Sequence, residues 1–233
     1  MTASATLNAI VASLAEHAAP AAAESQRAYL KSDLRFLGVT TPVLRKAVAA
    51  LAPPRRQISG VWLRELTDAA WATDLHDARS VACVLLQCHA RLLGPDDLPW
   101  LEGLLRRCHT WAYVDALAVH VVGDITRRQP AASKQQLERW ATDADFWLRR
   151  SALLALLGEH RKGAAFDGPR FEAWAVPMLA EREFFIRKAL GWVLRDVGRK
   201  HQAWVQGFVD RHGTQMSGLT RREAAKALAT PLR

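Results

Sequence analysis

Arg79, Asp115, Arg150 and Lys188 stand 36, 35 and 38 residues apart along this chain. Each is followed by a small residue (Ser80, Ala116, Ser151 or Ala189) and then by an apolar stretch of similar pattern. Three rungs of one ladder are thus cationic and one is anionic. A face built this way fits a polyanion that meets a single carboxylate. One carboxylate is enough to stabilise a developing positive charge or to activate a water.

Trp111 and Asp115 are four residues apart, so on a helix they share a face. For an isolated pair, the ordinary reading is a core-filling indole beside a solvated acid. Its place on the basic ladder points to chemistry instead. Two further segments, FWLRRSALL (146–154) and FFIRKALGWVLRD (184–196), repeat one order of aromatic pair, aliphatic and basic pair. Trp147 precedes Arg150 by three, Lys188 precedes Trp192 by four, and Trp192 precedes Arg195 by three. Guanidinium forks suit phosphate oxygens, and indole faces suit sugars or stacked bases. Either segment alone also reads as an amphipathic helix with arginine stems over a core; the shared register favours a nucleic-acid surface.

The elements that must carry these residues read as helices throughout, with no strand alternation. Thr41-Pro42 follows an FLGVT turn, and Ser133/Gln136 and Thr220/Glu223 read as capping boxes. Loop signals fall at 52–57, 93–99, 127–133 and 160–170. WATDLHDARSVACVLL (71–86) is similar to WATDADFWLRRSALLALL (140–157), whose second half is similar to EFFIRKALGWVL (183–194). The period is that of HEAT-type helical repeats. The expected fold is therefore an all-α solenoid forming one domain over 1–233, with the ladder lining a concave basic cleft.

Composition sets the outer limits. The chain has 233 residues, is 50% hydrophobic and carries a net charge of +9. Residues 1–116 hold 12 Lys and Arg against 11 Asp and Glu, whereas residues 117–233 hold 20 against 12. A basic half favours anionic partners. Cys83, Cys88 and Cys108 form no C-x-x-C pair and read as free thiols of a reducing cytosol. No His/Cys spacing suggests a metal, and no cofactor is expected. The N-terminal stretch lacks a basic leader, and Leu7, Ile10, Val11 and Leu14 fit an amphipathic helix. No segment reaches the length of a membrane span. A cytoplasmic monomer is the expectation.

YLKSDLRFLGVTTPVLRK (29–46), HTWAYVDALAVHVVGD (109–124), FWLRRSALL, FFIRKALGWVLRD and LTRREAAKAL (219–228) together resemble the AlkD family of bacterial DNA glycosylases. These are HEAT-like repeat proteins that remove alkylated purines. The resemblance covers nearly the whole chain. It implies that Asp115 is the catalytic carboxylate and that Trp111 and Trp192 flank the lesion nucleotide. It also implies that Tyr29 lines the same cleft, while Arg150 and Arg195 hold the DNA backbone. Lys188 and Arg79 join that backbone set through the ladder. The sequence departs from the pattern at Thr110, Ala112 and Tyr113, where relatives often carry a second aromatic and an acid, and this departure bears on lesion preference.

Glycoside hydrolysis ordinarily engages two carboxyl groups. One suffices when the leaving base is already cationic, as in a purine alkylated at N3 or N7. The implied substrates are therefore 3-alkyladenine and 7-alkylguanine in duplex DNA. Two other readings stand beside this one. A non-catalytic, structure-specific DNA-binding relative would not excise a base. A helical scaffold for an acidic protein would show no DNA affinity at moderate salt.

Overall fold

The computed structural model describes residues 2–228. In chain order its α-helices are α1 (Ala3–Ala15), α2 (Pro20–Leu30), α3 (Thr41–Leu51), α4 (Gly60–Trp71), α5 (His76–Cys88), α6 (Leu98–Arg106) and α7 (Trp111–Leu117). After a π-helical turn (Ala118–Val122) come α8 (Gly123–Arg128), α9 (Pro130–Ala141), α10 (Phe146–Arg161), α11 (Gly168–Met178), α12 (Phe184–Gly198), α13 (Gln202–His212) and α14 (Gly218–Leu228). The fold is all-α; among the described residues strand-like pairing is confined to a bridge between Arg35 and Leu75.

The chain packs as two compact units. Unit 1 comprises residues 1–94 and 107–117, and unit 2 comprises residues 95–106 and 118–233. In unit 1, α1 buries Leu7, Ile10 and Leu14, as its amphipathic pattern requires, and packs on α3, α4 and α5. There α3 packs on α5, and α5 on α7. In unit 2, α10 touches α9 and α12, and α12 touches α13 and α14. Helices that meet both a sequence neighbour and the next but one are the packing unit of a helical-repeat fold. The related segments 71–86 and 140–157 both run from the end of one helix into the next, and both leading tryptophans, Trp71 and Trp140, are buried.

Two glycine positions set close approaches. A Cβ on Gly158 would lie 2.0 Å from the Val119 carbonyl oxygen, so α10 meets the π-helical turn only without a side chain there. Gly38, at φ 80°, would place a Cβ 2.2 Å from the Ala19 carbonyl oxygen. That contact seats the Phe36–Val39 segment against the start of α2. Leu37 N–H donates to Asp77 Oδ2 (2.8 Å), and Ala19 N–H donates to the Leu37 carbonyl (2.8 Å), so the same segment ties α2 to α5.

Both expected capping boxes are misplaced. Proline at the first helical position starts α9 at Pro130, because its fixed φ is already helical; Ser133 lies inside the first turn and donates to the Gln129 carbonyl (2.9 Å). For α14 the cap is Ser217, whose Oγ accepts from Thr220 N–H (3.1 Å), while the Thr220 hydroxyl donates to the Arg187 carbonyl (3.2 Å). The three cysteines are free thiols, with Cys83 and Cys108 buried. Burial pushes the Cys83 thiol up to about 12. No helix among the described residues is long and apolar enough to cross a membrane.

Candidate functional site

The ladder residues occupy matching places in their helices. Arg79 is the fourth residue of α5, while Asp115, Arg150 and Lys188 are each the fifth residue of α7, α10 and α12.

In unit 1 the structure brings together Tyr29, Trp111 and Asp115. Tyr29 sits in the last turn of α2, 73% exposed, with its ring edge-on to Trp111 at 5.8 Å and 88°. A T-shaped pair sets the positive edge of one ring against the negative face of the other. Trp111 opens α7, and Asp115, one turn later on the same face, is half-buried. Both elements that carry the aromatic pair abut residues in left-handed backbone. Lys31, at φ 49°, closes α2, and His109, at φ 51°, precedes α7. Non-glycine residues rarely adopt this conformation, and such strain gathers where geometry is demanded.

The opposite face of α7 is buried through Tyr113, Val114 and Leu117. The Tyr113 hydroxyl hydrogen-bonds His76 Nδ1 at 2.5 Å, and the His76 ring stacks on Phe36 at 4.2 Å. Its Nε2 meets Ser80 Oγ at 3.2 Å. Burial first, and the Arg79 charge second, hold the His76 imidazole down to about 4, so it is neutral near pH 7. Tyr29, His76 and Ser80 line a cleft of about 260 Å³ together with the apolar Leu44 and Val84. Arg79 donates to the carbonyls of Trp71 (3.3 Å), Thr73 (3.1 Å) and Arg107 (3.3 Å), and its guanidinium lies 5.8 Å from the Trp71 ring centre. Its fork thus closes backbone ends within unit 1.

In unit 2, α12 carries Lys188, Trp192 and Arg195 on neighbouring turns, all half-buried. The Arg161 guanidinium lies 5.3 Å from the Trp192 ring centre and is ion-paired with Asp196. Arg195 Nη1 pairs with Glu223 of α14, which also receives Lys226 Nζ (2.6 Å). The Lys226 bond foremost, with the Arg195 and Lys188 charges, holds the Glu223 carboxyl below its usual range against the opposing effect of burial. Arg150 is 2% exposed; its Nη1 donates to the Phe185 carbonyl and its guanidinium lies 5.8 Å from the Phe185 ring. Among the described residues, no group of three or more His, Cys, Asp or Glu comes together as a metal site.

A family profile for DNA alkylation repair enzymes matches residues 10–228. The chain belongs to the DNA alkylation repair enzyme family. A solved structure of a predicted DNA alkylation repair enzyme from Enterococcus faecalis superposes with a TM-score of 0.76, covering 91% of this chain and 97% of that one at 21% identity. At that identity the likeness carries the fold. No curated protein sequence matches the chain. Family membership gives the chain a role in the repair of alkylation damage, with DNA as its partner.

Within this family member, sequence reasoning missed three contributors: His76 and Tyr113, 37 residues apart, and Arg161, which covers Trp192 from another helix. Tyr113 left one signal, as a departure from the expected pattern beside Trp111. His76 and Arg161 left none, because only tertiary packing brings them to their partners.

Proposed function

We propose that this protein is an alkylpurine DNA glycosylase that hydrolyses the N-glycosidic bond of cationic 3-alkyladenine and 7-alkylguanine in duplex DNA. The observation that carries this reading is the Trp111–Asp115 pair on α7, with Tyr29 edge-on to the indole. One carboxylate beside electron-rich rings in a basic protein suits a reaction that develops positive charge on a sugar.

The C1′–N bond breaks with both electrons going to the base, which leaves neutral because its alkyl group had made it cationic. No proton donor is needed. Asp115 stabilises the oxocarbenium-like sugar and orients a water whose oxygen bonds to C1′; the proton that water loses passes to the carboxylate and then to solvent. The products are a free alkylated base and an abasic deoxyribose. Unmodified purines stay in place, since they leave slowly without protonation. Trp111 lies against the nucleotide, and Tyr29 borders it. Lys188 and Arg195 hold phosphates, with Arg150 adding charge from a buried position and Arg79 from one where its donors serve backbone carbonyls.

Asp115→Asn tests the assignment. Single-turnover release of 7-methylguanine from duplex DNA is expected to fall by about 10²–10³-fold, the scale seen when one preorganised electrostatic group is removed. DNA affinity is expected to stay within about twofold. Excision at the wild-type rate in this variant defeats the reading.

A further inference from the structure

We propose that Tyr113 is a positioning residue: through its hydrogen bond to His76 it fixes the rotation of α7, and with it Trp111 and Asp115, against α5. This rests on the glycosylase reading of Asp115. The seven residues of α7 are continued by the π-helical turn, so Trp111 and Asp115 stand at the N-terminal end of the helical run, where its orientation depends on what it packs on. Its entry is held only loosely: after the left-handed His109, Thr110 Oγ1 accepts from Ala112 N–H at 3.5 Å. Its apolar anchors, Val114 and Leu117, are buried but non-directional, and contacts of that kind permit rotation about the helix axis. The phenol bond does not.

Tyr113 lies two residues from both Trp111 and Asp115, which on a helix sets it about 200° away from each, facing the core while they face outward. A carboxylate stands about 6 Å from the helix axis, so a turn of about 20° displaces it by about 2 Å. Misplacement of about 1 Å can reduce a rate by about 10²-fold.

The receiving end is equally fixed. His76 is clamped by the Phe36 ring at 4.2 Å on one side and by Ser80 at its far nitrogen, and the Tyr113 ring also packs on Trp71 at 5.7 Å. Either imidazole tautomer keeps the link. The phenol donates to Nδ1 while Nε2–H donates to Ser80, or Nδ1–H donates to the phenol while the phenol donates to the His76 carbonyl at 3.3 Å. Burial drives the phenol up, so the hydroxyl keeps its proton, and it keeps the imidazole neutral. A neutral pair needs no counter-ion and is insensitive to the phosphate charges that arrive with DNA.

The test is a double-mutant cycle on single-turnover excision of 7-methylguanine. Tyr113→Phe keeps the ring and deletes the hydroxyl, His76→Asn keeps an acceptor near the Nδ1 position, and His76→Val removes it. Tyr113→Phe is expected to slow excision by about tenfold or more in the wild-type and His76→Asn backgrounds, but by less than about twofold in His76→Val, because there the link is already gone. DNA affinity is expected to hold within about twofold, so the loss appears in the rate and not in binding. Equal slowing in all three backgrounds, or none in any, overturns the proposal. Independently of catalysis, the ¹⁹F resonance of 5-fluorotryptophan at position 111 is expected to shift in Tyr113→Phe without DNA; an unmoved line also overturns it. If the wild-type protein releases no base, the glycosylase reading fails, and the ¹⁹F result alone judges the pin.

Discussion

Each unit presents a tryptophan from its own helix, and the two are held by different physics. In unit 1, Trp111 is flanked by Tyr29, and its helix is tied down by a phenol, an imidazole and a stacked Phe36, all uncharged near pH 7. In unit 2, Trp192 lies under the Arg161 guanidinium, on a helix whose Arg195 is paired to Glu223. Ion pairs recur through unit 2. Glu102 receives Arg106, Arg139, Gln136 and the Trp140 indole, and Asp124 receives Arg127, Arg128 and Lys162. A neutral hydrogen bond between rigid rings fixes an angle and ignores salt. A solvent-bordering ion pair can exchange one anion for another, and a phosphate can take the place of Glu223 beside Arg195. On the proposed reading, the chemistry rests on the first kind of support and the grip on the second.

The largest effect is expected from the close approach inside unit 2. Gly158→Leu drives a side chain into the Val119 carbonyl and the Gly123 backbone, where neither can yield. Destabilisation of about 3 kcal/mol or more is expected by denaturant titration, with unit 2 affected first in hydrogen exchange. A Gly158→Leu protein as stable as wild type would mean that the ion-pair networks, and not this contact, fix α10.

Acid separates the two supports next. His76 takes a proton at about 6.5 when unfolded and at about 4 when folded, so the unfolded chain binds more protons between those values. Stability is therefore full above pH 6.5 and falls as pH drops to 4, by on the order of 3 kcal/mol. His76→Asn is expected to flatten that part of the curve. Asp124 titrates lower: burial raises its carboxyl, but Lys162, Arg127 and Arg128 outweigh burial and hold it at about 2 against a usual 3.8. Its contribution is present above 3.8 and disappears toward 2. A single transition at pH 3 in both wild type and His76→Asn would erase the distinction between the supports.

Salt probes the grip. Lys188→Ala and Arg195→Ala are each expected to weaken DNA binding and to reduce the slope of log K against log salt by about 0.9, as one phosphate contact is lost. Arg79→Ala and Arg150→Ala are expected to lower the melting temperature more than the slope, since their donors serve backbone carbonyls. Equal slopes for all four variants would show that Arg79 and Arg150 contact phosphate as directly as Lys188 and Arg195.

Much of this was legible in the chain. The ladder spacing found matching helix positions for Asp115, Arg150 and Lys188, because repeats place like residues at like turns. The aromatic–basic order of 146–154 and 184–196 marked two helices that pack on each other, α10 and α12. What the ladder could not convey is enclosure. Arg150 and Lys188 share a register, yet Arg150 is buried against Phe185 while Lys188 is half-exposed. Periodicity gives the face of a helix, whereas exposure depends on what packs over that face. The capping boxes failed for a related reason: S-x-x-Q and T-x-x-E satisfied the local pattern, but Pro130 and Ser217 supplied stronger starts.

The smallest expected effect tests whether strain beside the aromatic pair is functional. Unit 2 places Gly163, at φ 92°, where its backbone turns left-handed after α10, whereas unit 1 closes α2 with Lys31 at φ 49°. A non-glycine residue in that region costs about 1 kcal/mol relative to glycine, so Lys31→Gly is expected to stabilise the protein by somewhat less than that, raising the melting temperature by about 1–3 °C. Glycine also frees the unfolded chain, which offsets part of the gain. If the variant melts higher and excises at the wild-type rate, Lys31 is a tolerated imperfection. If it melts higher and excises more slowly, the strained cap is holding Tyr29 against Trp111 at 5.8 Å, and unit 1 accepts lower stability in exchange for a fixed aromatic wall.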